Sequence, residues 1–215
     1  MKIRIDLKIL IFFVLFYLTD QIEIYLIIMA FCVVHELGHM LMGFILGLRP
    51  ERLTIIPCGL TISFKANVDD LNFKIKNGNL LELKKIFVAI AGPLVSLTLA
   101  IVYLYFEPIY ISKQDAIYSN ILIFLFNLIP IYPLDGGRIL KGILHMQYGN
   151  RQAKYIINKV SNITMIILTI MSSIAVYYFK NIAIFLICIF LWIIILQENK
   201  KYRTNSRMYE ILDKN

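Results

Sequence analysis

A chain of 215 residues that is 59% hydrophobic and only 17% charged, with a mean hydropathy of +0.72, lies far from the composition of a soluble domain. Its net charge of +8 would suit nucleic acid, but no arginine-rich strip interleaved with aromatics runs through it, and the surplus is accounted for by membrane orientation below. Cys32, Cys58 and Cys188 are an odd set without paired spacing, which excludes a disulfide framework.

Taken in chain order against the ~20 residues needed to span a bilayer, apolar runs at about 5–19, 24–46, 86–106, 117–131, 163–179 and 182–196 predict an all-α polytopic membrane protein with about six transmembrane helices. Lys2, Arg4 and Lys8 precede the first run as in a secretory signal. No small-x-small cleavage site follows Tyr17, so an uncleaved span is expected. With six spans, the N-terminus, the 47–85 loop, the 132–162 loop and the tail from 197 carry 3, 7, 5 and 5 Lys+Arg, while the opposite side has only Lys113 and Lys180. The positive-inside bias then puts both termini in the cytoplasm and runs the second span from outside to inside. The basic loops would sit beside anionic lipid heads.

The second run, Ile24–Leu46, contains His35-Glu36-Leu37-Gly38-His39. At i and i+4 on a helix the two imidazoles lie about 40° apart on one face and can reach one metal ion. Glu36 is placed to take a proton from a water at that metal rather than to fill its shell. A carboxylate in mid-membrane costs at least ~2.5 kcal/mol on insertion scales, which favours a functional role over the alternative of polar residues paired between helices.

Residues 47–85 form the one sizeable extramembrane segment. Its stretch Leu53–Lys65 is β-branched and partly alternating, broken by Pro57 and Gly59, and predicts a small membrane-associated hairpin or strand pair whose edge could hold an extended substrate. The alternative is a passive connecting ribbon. Cys58 reads as a small apolar filler rather than a ligand. Asp69, Asp70, Asn77, Gly78 and Asn79 read as turn residues without metal spacing. In the third run Ala89, Gly92 and Ser96 are small enough to let helices approach closely, and Pro93 is expected to kink it.

Two histidines and a water leave a zinc ion short of four ligands. The remaining candidates are His145, the only other histidine, and Asp135, in Asn127-Leu-Ile-Pro130-Ile-Tyr-Pro133-Leu-Asp135-Gly136-Gly137. Two prolines preclude a regular helix there, and the glycines allow a tight turn, which is a way to aim a carboxylate sideways. The alternative for Asp135 is a cap on the following helix. The fifth and sixth runs hold neither acid nor histidine and are assigned no chemistry, with Trp192 and Tyr202 expected at the cytoplasmic interface. The chain is expected to be one membrane domain over 1–199 with a short cytoplasmic tail, 200–215.

Together, His35-Glu36-Leu37-Gly38-His39, Ala91-Gly92-Pro93, Asn127-Leu-Ile-Pro130 and Leu134-Asp135-Gly136 resemble the site-2 protease family of intramembrane zinc metalloproteases, and most of all its sporulation members. The resemblance implies one zinc ion on His35, His39 and Asp135. It also implies that Glu36 activates water for peptide-bond hydrolysis and that Asn127 steadies the oxyanion or the substrate backbone. By the same resemblance the partner is a membrane-associated proprotein such as a sporulation pro-sigma factor in the mother-cell membrane around the forespore, with membrane inhibitory proteins as regulators. Residues 107–116 leave no room for the PDZ domain of many relatives, and the tail from Gln197 is too short for the CBS domain of the sporulation members. A divalent-metal transporter or catalytically silent scaffold is the competing class; internal repeats or polar residues in several spans would mark it, and neither is evident.

Overall fold

The computed structural model describes residues 2–5, 8–56, 59–65, 75–179 and 183–212, and it is dominantly helical: β1 (Lys2–Ile5), α1 (Lys8–Leu18), α2 (Ile22–Ile45), β2 (Arg49–Ile56), β3 (Gly59–Lys65), α3 (Ile75–Tyr105), α4 (Lys113–Asn127), α5 (Asp135–Phe179) and α6 (Ala183–Leu212). The chain divides into two compact units, Met1–Leu128 and Ile129–Asn215. Three described helical segments are long and apolar enough to cross a membrane: Ile22–Ile45, Asn79–Tyr105 and Asp135–Tyr178. Of the expected spans, α1 has 11 residues and α4 has 15, both short of the ~20 a perpendicular crossing needs.

In the first unit α1 and α2 each end in a Schellman motif. After α1, Asp20 takes φ 55° while the amides of Asp20 and Gln21 donate to the carbonyls of Tyr17 and Phe16. After α2, Gly47 takes φ 74° and the amides of Gly47 and Leu48 donate to Phe44 and Gly43. Open space surrounds Gly47, so its backbone conformation, not crowding, calls for glycine. α4 begins with Ser112, whose Oγ accepts the Asp115 amide at 3.1 Å and donates to its carboxylate at 2.6 Å. Helices α2, α3 and α4 pack together around Ile27, Phe31, Cys32, Ala116 and Ile123, with Leu99 and Tyr103 against them. Gly38 makes the α2–α3 approach possible, since a Cβ there would stand 2.7 Å from Val95 Cγ2 and 3.2 Å from the Ala91 carbonyl.

The sheet of this unit runs β1-β2-β3. β2 and β3 are antiparallel, pairing Thr54 with Thr61 and Arg52 with Ser63, with a register shift between Pro50 and Arg52, where proline has no amide to offer. β1 lies parallel to β2, Lys2 opposite Arg52 and Ile5 opposite Ile55. The sequence reading did not foresee β1: Lys2-Ile-Arg-Ile alternates as a strand should, but it adjoins an apolar run and was absorbed into the approach to the first span. Pro57, Cys58, Asp69 and Asp70 lie outside the described residues.

The second unit is built on α5 and α6. Gly149, at φ 78° and ψ 168°, interrupts α5, so the apolar part of that long element follows the break. Ile157, Met165, Leu191 and Ile195 are among its buried residues. The helices are also joined by polar ties: the Asn158 amide donates to the Asn199 Oδ1, Asn199 Nδ2 donates to Asn162 Oδ1 at 2.9 Å, and Asn162 Nδ2 returns to Asn158 Oδ1 at 3.4 Å. Each asparagine both gives and receives, closing a ring between the two helices. Trp192 Nε1 donates to Thr169 Oγ1 at 2.9 Å, so its polar edge is used between the helices.

Candidate metal centre

His35 and His39 occupy successive turns of α2, on its buried face with Glu36, Gly38 and Gly43. Their rings meet edge to face with centroids 4.8 Å apart, and the two Nε2 atoms are 3.2 Å apart. What fixes the rings comes from α3. His39 Nδ1 lies 2.7 Å from the Val88 carbonyl, which can only accept, and 3.3 Å from the Gly92 amide, which can only donate; the shorter contact favours the proton on Nδ1, which leaves a neutral ring its lone pair on Nε2. His35 Nδ1 lies 2.9 Å from Ser96 Oγ, where donation to the hydroxyl gives the same tautomer. Val88, Gly92 and Ser96 stand at i, i+4 and i+8, one face of α3. Gly92, between the two anchors, admits no side chain: a Cβ would fall 2.3 Å from His39 Nε2 and 2.6 Å from His35 Nε2.

Two nitrogen lone pairs held this close repel unless a proton or a cation sits between them. Two nitrogens on one tetrahedral zinc, at bonds of about 2.0–2.1 Å, would be about 3.3 Å apart. The pair therefore fits a metal ion. Glu36 is 6% exposed, with Oε2 3.8 Å from His39 Nε2, so a carboxylate stands next to the lone pairs without being interposed.

In the second unit, Asp135 opens α5 and is 4% exposed. The Arg138 amide donates to the Leu134 carbonyl at 2.9 Å, so Leu134 rather than Asp135 stands in the cap position. The Asp135 carboxylate lies in the first helical turn, where the helix dipole favours negative charge, and Oδ1 is 3.6 Å from Arg138 Nη1. Among the described residues, His35, His39 and Asp135, all buried, are the one group of metal-ligating side chains that could hold an ion. His145 is not part of it.

Asn127 ends α4 and donates one Nδ2 hydrogen to the Ile123 carbonyl at 2.9 Å, leaving its second N–H for another acceptor. Sequence reasoning placed Gly92 and Ser96 on the third span as packing residues. It missed the Ser96 hydroxyl as a partner of His35 and the Val88 carbonyl as a partner of His39. The i, i+4, i+8 spacing was the available signal for Ser96, whereas a backbone carbonyl leaves none.

Residues 23–115 and 110–169 match peptidase family M50. A zinc metalloprotease of Methanocaldococcus jannaschii is 30% identical over 184 residues, 82% of this chain and 49% of that protein. Stage IV sporulation protein FB of Bacillus subtilis is 28% identical over 127 residues, 57% of this chain and 41% of that protein. The chain thus spans about half or less of the length of these relatives. The solved structure of a site-2 protease from Methanocaldococcus jannaschii matches with a TM-score of 0.70, covering 91% of this chain and 89% of that one at 24% identity, a likeness of fold.

Proposed function

The chain belongs to peptidase family M50, and from that premise we propose that it is an intramembrane zinc metalloendopeptidase. The observation that carries the proposal is the pair of Nε2 atoms 3.2 Å apart with a buried carboxylate beside them. In this reading His35, His39 and Asp135 hold the zinc, which when bound supplies Lewis acidity that brings the pKa of water down to about 7. Glu36 accepts the proton of the water whose oxygen bonds to the scissile carbonyl carbon. As the C–N bond breaks, Glu36 returns that proton to the leaving amine, and a carboxylic acid and a free amine result. The remaining N–H of Asn127 steadies the charge that develops on the carbonyl oxygen. The Ser96 hydroxyl and the Val88 carbonyl keep both imidazoles in the ligating tautomer.

The substrate class is a membrane-associated proprotein, and the sporulation protein among the relatives supports a pro-sigma factor. Among the described residues β3 is the last strand of the sheet, and its outer edge would receive substrate as a further strand. Six spans and both termini in the cytoplasm, supported by the placement of Lys and Arg, complete the proposal, and a mother-cell membrane around the forespore is supported by the likeness to the sporulation relative alone. No observation favours the transporter or silent-scaffold reading. Co-expression with candidate membrane proproteins, followed by mass measurement, tests the function: two products whose masses sum to the substrate plus one water support it, and intact substrate throughout contradicts it.

A further inference from the structure

The segment that leads into Asp135 has a complete amide account. Pro130 and Pro133 have no N–H. Ile131 donates to the Ile129 carbonyl at 2.7 Å and Leu134 to the Ile131 carbonyl at 2.7 Å, both local turns. The remaining amide, that of Tyr132, reaches 29 residues along the chain to Ser161 Oγ at 3.0 Å, and Ser161 is 3% exposed on α5. The same peptide also meets Gly137, where a Cβ would lie 2.4 Å from the Ile131 carbonyl carbon and 2.4 Å from the Tyr132 nitrogen. The Ile131 side chain is fully buried, and Lys141 Nζ stands 4.3 Å over the Tyr132 ring.

The Ile131–Tyr132 peptide is therefore held by two contacts, the bare backbone of Gly137 and the hydroxyl of Ser161. Asp135 begins one turn further on, so tilting this peptide would re-aim its carboxylate. We propose that Ser161 is a positioning residue for Asp135, acting through the Tyr132 amide. The proposal rests on the zinc reading above. Alanine at 161 leaves that amide without a partner in a low-dielectric setting, and the loop must move to satisfy it. Threonine keeps the hydroxyl on the same helical backbone.

The test uses the purified full chain as wild type, Ser161→Ala and Ser161→Thr, with two readouts: hydrogen exchange of the Tyr132 amide, and the rate at which zinc passes to a chelator. Exchange should quicken in Ser161→Ala with or without metal, and zinc release should quicken about tenfold, the low end of what groups directly orienting a ligand show, because Ser161 acts at one remove. Ser161→Thr should restore both. Unchanged exchange in Ser161→Ala overturns the proposal, as does quickened exchange with unchanged zinc release, or a threonine variant as defective as the alanine one. A wild-type chain that holds no zinc overturns the zinc reading and the role of Ser161 together, whereas the other outcomes tell against Ser161 alone.

Discussion

Ser96 Oγ stands 2.9 Å from His35 Nδ1, across 61 residues of sequence, a hydrogen bond that engages this nitrogen and leaves Nε2 of the same ring facing His39. Removing that hydroxyl leaves the ring free to rotate or to change tautomer. Ser96→Ala is expected to lower zinc affinity 10- to 100-fold, the range for lost partners of metal-bound histidines, with the helices intact. Competition with a chelator of known affinity, alongside thermal unfolding, checks this; equal zinc affinity in the two proteins would remove Ser96 from the centre.

Gly92 gives a steric counterpart. A single methyl group at this position would overlap both Nε2 atoms, which are the very atoms a metal needs. Gly92→Ala should therefore abolish zinc binding although alanine is the better helix former. Elemental analysis of the purified variant reads the outcome, and a full complement of zinc would show that the imidazoles do not ligate through Nε2.

How much of this was open to sequence reasoning depends on how far a role constrains residue type and spacing. The grouping of His35, His39 and Asp135 was legible because metal chemistry restricts the side chains, and because a carboxylate or imidazole is conspicuous in an apolar run. Ser96 and Val88 were not, since they meet the histidines only through a tertiary contact 61 and 49 residues away, and any residue could have supplied the carbonyl. The asparagine ring was hidden for the same reason: Asn158 and Asn162 share a helix face, but Asn199 closes the ring from another helix, 41 residues from Asn158. β1 was masked by the apolar run it precedes.

The asparagine ring should contribute stability without chemistry. In Asn162→Leu the Asn199 amide loses its acceptor and Asn158 loses a donor, so unfolding should become easier by about 1 kcal/mol, within the range of interhelical hydrogen bonds in membranes. Zinc content should not change. Denaturation in mixed micelles measures the first and elemental analysis the second; lost zinc with unaltered stability would mean that the ring serves the centre instead.

Substrate pairing along β3 has a test of its own. Side by side in an extended strand, Thr61 and Ile62 point their amides in opposite directions, one toward β2 and one toward the outer edge of the sheet. Proline at the edge-facing position removes a donor that a substrate strand would use, so cleavage should fall sharply while zinc content stays normal. Thr61→Val keeps the amide and should do much less. Equal effects of proline and valine at Thr61, with no effect of proline at Ile62, would mark the segment as a passive connector.

The central claim is that Glu36 moves the proton in a peptide hydrolysis centred on His35, His39 and Asp135. Its most direct test is the mass spectrum of a membrane-anchored proprotein co-expressed with either the wild-type chain or Glu36→Gln, both verified to carry the same zinc. The account expects hydrolysis products with the wild type and intact substrate with the variant, because glutamine fills the space of glutamate but cannot accept the water's proton. The same products in the same yield from Glu36→Gln would contradict it.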